Sequence, residues 1–307
     1  MKRFRNILVV VPQGVDAAGT VQAAARLAAD NDARLTLFDA VPRVGARRLR
    51  KASYVAADLQ RIVEQGRAAE LADLGSGIDA EVVVTTGTPF LEVIRRAVAY
   101  EHDLVMTPPD QPPGSRGLSR ASMTMHLLRK CPVPVWVYRS ASDGAGDVLA
   151  AVGPFDEGVP SQLDRKIVEL GSSLAARQGG RFHLVHAWSL QGESLLRGGR
   201  FGLPAGEVDR LVEEAMLDAE TGVDKLLADT GVMEQDVAIH LTKGDAAVAI
   251  GETAARLSPA VVVMGTLVRS GIAGLLIGNT AEIALGSLNA SVLAVKPNGF
   301  ATPVSLE

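Results

Sequence analysis

Cysteine is nearly missing from this chain: one residue, Cys131, in 307. No intrachain disulfide can form, and such usage fits a reducing compartment. Long apolar runs are missing too. No segment approaches the roughly 20 apolar residues of a membrane helix. The opening MKRFRNILVVVPQG has an apolar run that stops at Pro12, too short for a signal segment, and reads as a strand. A soluble, cytoplasmic protein with no membrane partner is expected. Positive charge is not in excess either. The net charge is −4, which gives no electrostatic case for nucleic acid as a partner. The five histidines, His102, His126, His183, His186 and His240, lack the cysteine or carboxylate companions of a metal set. His183 and His186 are three apart on an expected strand and so face opposite ways. His183 and His240 read as core or edge residues, and Cys131, beside prolines, as a small buried side chain. There is no nucleophile elbow, no Walker lysine and no pair of carboxylates at a glycine loop. No enzyme is expected.

What the chain does have is 47% hydrophobic residues against 21% charged ones, enough for a sizeable core, and an internal repeat. NILVVVPQG (6–14) resembles DVLAAVGPF (147–155), and RLTLFDAVP (34–42) resembles RFHLVHAWS (181–189). DAEVVVTTG (79–87) resembles DVAIHLTKG (236–244). DLVMTP (103–108) and CPVPVWV (131–137) fall on VVVMGT (261–266) and NASVLAV (289–295) at one shared offset of 158. Repeats of this kind set the architecture. Short β-branched runs suit parallel strands covered on both faces. They alternate with alanine-rich helical patterns such as VQAAARLAAD and DAAVAIGETAARL. Strand–helix alternation means a parallel sheet with right-handed crossovers. The expectation is two tandem, doubly wound, five-stranded α/β domains, residues 1–140 and 146–307, joined by the glycine-rich RSASDGAGD (139–147). Ligands of such sheets sit beyond the carboxyl ends of the strands, where strand order reverses.

The loop GTLVRSGIAGLLIGNTAE (265–282) and the stretch MHLLRKCPVPVW (125–136), inside halves of this length, resemble the universal stress protein family, in its tandem, E-type branch. Nucleotide-binding members carry a loop of the form G-x-x-G, nine residues, then G-S or G-T after the fourth strand, and an Asp after the first. Mapped onto this chain, the outer glycines are Gly265 and Gly278, the inner one is replaced by Val268, the hydroxyl by Asn279 and the Asp by Gly153. Thr280 supplies a hydroxyl one place later, and Gly271 and Gly274 leave the loop flexible. The same residues also make a helix cap, with Asn279 as N-cap and Glu282 three places on.

The resemblance implies that any small ligand is held by the second half. The candidate residues are Val152, Gly153 and Pro154 after its first strand, Ala187 on its second and Gly244 after its third. The loop after its fourth strand adds Met264, Gly265, Thr266, Val268, Arg269, Gly271, Gly278, Asn279 and Thr280. The occupants implied are ATP or another phosphate-containing ligand. The first half has Pro12, Thr107, Asp110 and Arg120 at the matching positions and a proline-rich loop, so no nucleotide is expected there. Gly87-Thr88-Pro89 and Gly244-Asp245 read as strand-to-helix turns with N-caps. The basic cluster 43–51 reads as a solvated loop and helix start. The stretch 190–208, with five glycines, is longer than an ordinary connection and reads as a lid.

The resulting expectation is a non-enzymatic ligand-sensing or interaction protein of the stress response. Its alternatives are an ATP-binding member with weak hydrolysis, a carrier of an amphipathic metabolite, and a scaffold with both sites vestigial. Pairing of family members through their fifth strands makes 133–139 and 291–297 candidate contact edges. They would join the two halves as a pseudo-dimer and two chains as a homodimer.

Overall fold

The computed structural model describes residues 3–43, 53–110, 122–139, 146–155, 158–198, 202–266 and 288–306. The basic cluster beyond Arg43, the middle of the linker and residues 267–287 lie outside the described residues. The chain forms two compact units, one of Met1–Ser140 with Phe300–Glu307, the other of Ala141–Val268 with the described part of Ile277–Gly299. The last eight residues therefore group with the first unit, although in sequence they follow the second repeat. Their attachment includes Arg95 Nε donating to the Ser305 carbonyl at 3.0 Å and a buried Val304.

The first unit runs β1 (Asn6–Val10), α1 (Ala18–Asn31), β2 (Arg34–Val41), α2 (Ser53–Leu74), β3 (Glu81–Thr86), α3 (Pro89–Ala99), β4 (Leu104–Thr107), α4 (Met123–Lys130) and β5 (Val135–Val137). Its strands lie in the order β3-β2-β1-β4-β5 and every pairing is parallel. In the second unit β6 (Val148–Val152), α5 (Gln162–Gln178), β7 (Phe182–Trp188), α6 (Glu193–Arg197), α7 (Ala205–Thr230), β8 (Val237–Lys243), α8 (Ala246–Leu257), β9 (Val261–Gly265) and β10 (Ser291–Val295) follow one another. The order β8-β7-β6-β9-β10, again parallel, repeats the first. The doubly wound expectation is met in both halves. The strand order reverses at β1 and β6, which places one crevice at the carboxyl ends of β1 and β4 and another at those of β6 and β9.

Burial explains the apolar runs. All five residues of β1, β6 and β10 are buried, as parallel strands sandwiched by helices must be. Helix ends are closed locally. Ser161 and Asp164 form a capping box on α5, and the Asp245 side chain accepts the Ala247 and Val248 N–H groups at the start of α8. Asp245 is thus the expected N-cap. Thr88 holds the same place on α3, but its side chain makes no capping bond and Pro89 follows it. The 190–208 stretch is not a single loop. It contains α6 and the first turn of α7. An Arg197–Glu193 pair one turn apart at 2.9 Å supports the short helix.

The histidines are accounted for within the fold. His183 and His240 lie side by side on β7 and β8, Nδ1 to Nε2, at 3.1 Å. Arg256 approaches the far nitrogen of His240 at 3.4 Å. Among the described residues no group of three His, Cys, Asp or Glu side chains can hold a metal ion. Nor, among them, is any helix long and apolar enough to cross a membrane. Cys131 is buried.

His102, just before β4, is 3% exposed, and among the described residues neither ring nitrogen has a hydrogen-bond partner within bonding geometry. The Asn6 carbonyl, which accepts the Asp103 N–H, favours the protonated His102 ring, but burial outweighs it. Burial, reinforced by Arg96, lowers its pKa from 6.5 to about 4. A base whose folded pKa is depressed costs no stability above its unfolded pKa. Below it the unfolded chain gains a proton that the folded one refuses. Stability should therefore fall between pH 6.5 and about 4, by up to about 3 kcal/mol. Urea unfolding at a series of pH values checks this. His102→Leu should flatten the slope, and an unchanged slope would assign it to other groups.

Candidate functional site

The candidate residues of the second unit that are described all lie at the carboxyl ends of neighbouring strands. Val152, Gly153 and Pro154 end β6, Ala187 sits near the end of β7, Gly244 follows β8, and Met264, Gly265 and Thr266 end β9. The register places Val152 beside His186, Trp188 beside Lys243 and Ala151 beside Met264. Val268, Arg269, Gly271, Gly278, Asn279 and Thr280 lie outside the described residues.

Gly153 has φ +91°, a conformation that favours glycine. A Cβ there would come within 2.6 Å of His186 Nδ1. The imidazole thus fills the space that a side chain at 153 would need. His186 is 3% exposed, its ring stacks on Phe155 with centroids 4.0 Å apart, and its Nδ1 lies 3.3 Å from the Val152 carbonyl. That contact requires Nδ1 to carry the proton and leaves Nε2 as an acceptor. Burial lowers the pKa of His186, with the Val152 carbonyl and Asp164 pulling weakly the other way, so the ring is neutral near pH 7. Asp164, the buried carboxylate nearest this turn, is committed. Its oxygens accept the Gly153 N–H at 2.8 Å, the Ser161 N–H at 2.7 Å and the Ser161 hydroxyl at 2.6 Å.

Beyond this turn opens a cavity of about 400 Å³. Phe155, His186 and Trp188 give its walls aromatic character, and Ala215, Asp218 and Ala219 of α7 close it from the other side. Trp188 faces the Lys243 ammonium at 5.9 Å. Lys243 is itself held by Glu193 of α6 at 2.8 Å, and Arg197 of α6 is held by Asp209 of α7 at 2.8 Å. These pairs clip α6 beside the cavity.

The strand-four residues that are described make packing and hydrogen-bond contacts of their own. A Cβ on Gly265 would lie 2.9 Å from Leu163 Cδ2, so glycine here lets α5 approach β9. Met264 is 3% exposed and belongs to the core. Thr266 is 1% exposed and its hydroxyl accepts from the buried Lys296 ammonium. A ligand reaching that hydroxyl would have to displace a lysine.

In the first unit the matching strand ends carry an ion pair. The repeat pairs Val11 with Val152 and Asp39 with His186. Asp39 is 4% exposed and receives Arg67 Nε of α2 at 2.6 Å, while Arg67 Nη2 donates to the Val11 carbonyl at 2.6 Å. Burial raises the Asp39 carboxyl above its ordinary range, against the pull of Arg67. His186 was weighed from the sequence only as a metal ligand, and Phe155, Trp188, Asp164, Asp218, Lys296 and the Asp39–Arg67 pair were not singled out. One signal was present: the aligned repeats put an acid and an imidazole, two polar side chains of different kind, at one position of an otherwise apolar strand.

Comparison with known proteins agrees with this architecture. The model of the universal stress protein family matches residues 3–139 and again 152–296. The universal stress protein E of Escherichia coli K12 is 28% identical over 76% of this chain and 73% of its own. That of Salmonella typhi is 29% identical over 76% and 74%. Among solved structures, a functionally unknown protein from Pseudomonas aeruginosa PAO1 superposes with a TM-score of 0.70 at 23% identity, covering 97% of this chain and 95% of that one. A universal stress protein from Archaeoglobus fulgidus DSM 4304 gives 0.58 at 16% identity, over 94% and 98%. Two family domains in one chain, each with the same five-strand order, make this protein a tandem member of the universal stress protein family.

Proposed function

We propose that the protein is a non-enzymatic sensor of the stress response, in which the second domain holds a small ligand and the first serves as its structural counterpart. One contrast carries this reading. The crevice of the second domain opens into a cavity walled by Phe155, His186 and Trp188, while the position of the first domain that matches His186 carries Asp39, held by Arg67. The ligand residues of the proposal are Gly153, Pro154 and Ala187 with those three rings. Gly244, at φ +134° after β8, shapes the neighbouring turn. A sensing role rather than catalysis accords with the commitments of the polar groups, since Asp164 holds backbone and Ser161 and Thr266 holds Lys296. ATP or another phosphate-containing ligand is the competing occupant, and its binding would rest on residues 267–287.

Native mass spectrometry of the freshly purified chain, followed by thermal-shift screening with small metabolites and ATP, tests the proposal. A co-purified mass lost on denaturation, or a saturable shift abolished by Trp188→Ala, is expected. A clean mass with no shift from any compound would favour a scaffold with both crevices vestigial.

A further inference from the structure

The ligand of the second domain has a charge preference written into its surroundings. We propose that the cavity between the ends of β6 and β7 and helix α7 binds a small organic cation, a protonated amine on an aromatic or aliphatic body, in preference to a phosphate ester. This rests on the reading that the second domain holds a ligand, and goes beyond it by naming the class.

The first argument is the inventory of the walls. His186 lines the cavity and donates Nδ1–H to the Val152 carbonyl, and its Nε2, with no bond among the described residues, keeps its lone pair. Asp218 adds a carboxylate, and Ser189 and Gln191 add neutral groups that can both donate and accept. No lysine or arginine among the described residues lines the cavity. The rim cations are committed, Lys243 to Glu193 at 2.8 Å and Arg197 to both Glu193 and Asp209. A carboxylate with no lysine or arginine beside it among the described residues suits an ammonium, whereas a phosphate would find only the neutral donors of Trp188, Ser189 and Gln191.

The second argument is the field. Helix α7, which closes the cavity, carries eight acidic residues and two basic ones, a net charge of −6 (8 − 2). Such a helix attracts cations and repels phosphates, most strongly at low salt. The neutral His186 does not oppose it.

The third argument comes from the repeat. At the matching position of the first domain a cation is already bound, and the chain supplies it. The Arg67 guanidinium lies between the Asp39 carboxylate and the Val11 carbonyl, both within 2.6 Å. In the second domain His186 replaces Asp39. The facing helix presents Ala215 and Ala219, with Asp218 beside them, to the cavity. The same architecture thus holds a tethered cation in one half and leaves a cavity with acceptors in the other. Phe155, held between the His186 ring and the Cβ-less Gly222 of α7, supplies apolar surface for the body of such an amine.

The test is a titration of the full chain carrying Trp136→Phe, followed by Trp188 emission and repeated by calorimetry. The probes are phenethylamine and phenylacetate, which share a ring and differ in charge, and AMP. Phenethylamine should bind saturably and about tenfold more tightly than phenylacetate, with the gap narrowing as salt is added. Asp218→Asn should weaken the amine about three- to fivefold at low salt and leave phenylacetate no weaker. Asp218 is exposed, so its thermal midpoint should match the parent's. Phenylacetate or AMP binding as tightly as the amine would overturn the charge preference and leave a ligand-binding second domain standing. Absence of any response to all three probes would overturn both.

Discussion

Replacing Arg67 with alanine should destabilise the first domain by about 3–5 kcal/mol, the cost of leaving a buried carboxylate without its partner. The guanidinium is 10% exposed and Asp39 6% at their side chains, with 2.6 Å between them. Arg67 also satisfies the Val11 carbonyl, where β1 ends. The loss has a pH signature. Asp39 titrates above its ordinary value in the folded state because of its burial, and Arg67 limits that rise. An acid with a raised folded pKa takes up a proton more readily folded than unfolded, so its penalty shrinks as pH falls through that pKa. Without Arg67 the rise grows. The difference between parent and Arg67→Ala should therefore narrow from pH 7 toward acid, while the His102 effect, common to both, cancels. Urea unfolding in a Trp188→Phe background, read at Trp136, measures it. Asp39→Leu combined with Arg67→Met should recover most of the loss, since an apolar pair can replace a buried ion pair. A difference below about 1 kcal/mol, independent of pH, would place the pair among hydrated surface contacts.

This ion pair marks the boundary of what the sequence disclosed. Strand and helix alternation was readable because fully buried parallel strands are written as short apolar runs, NILVV in β1 or VVVMG in β9. The repeat then supplied the domain plan, since each matching segment proved to be the same strand of the same order. The site was less readable, and for a physical reason. Arg67 reaches Asp39 from a separate helix, and neither residue advertises the other. Gly265 matched a phosphate-loop glycine in spacing, yet the atom it makes room for is on Leu163, in a helix far earlier in the chain. A local motif records which residue is tolerated, not which neighbour requires it. The 190–208 stretch was misread for a similar reason. Its glycines argued for a loop, but ion pairs to β8 and α7 stabilise a helical turn within it.

Gly153→Asp, which would restore the acid that the resemblance expects after the first strand of the second domain, should not create a nucleotide site. It should cost about 3–4 kcal/mol. A non-glycine residue at φ +91° carries about 1–3 kcal/mol of backbone strain. Its Cβ would press on the imidazole of His186 at 2.6 Å, and displacing that ring breaks its stack on Phe155 and its bond to the Val152 carbonyl. Introducing His186→Ala alongside should remove the steric part and leave the backbone strain, so the double variant should lose less than the sum of the two single variants. Thermal melts of the parent, both single variants and the double variant resolve the coupling, and calorimetry with AMP asks whether any variant gains a nucleotide. Additive losses, with no coupling between the two substitutions, would mean that backbone conformation alone excludes the acid. A coupling of 1 kcal/mol or more would mean that His186 holds the place the acid has in nucleotide-binding relatives. Glycine at 153 is then the consequence of an imidazole on β7.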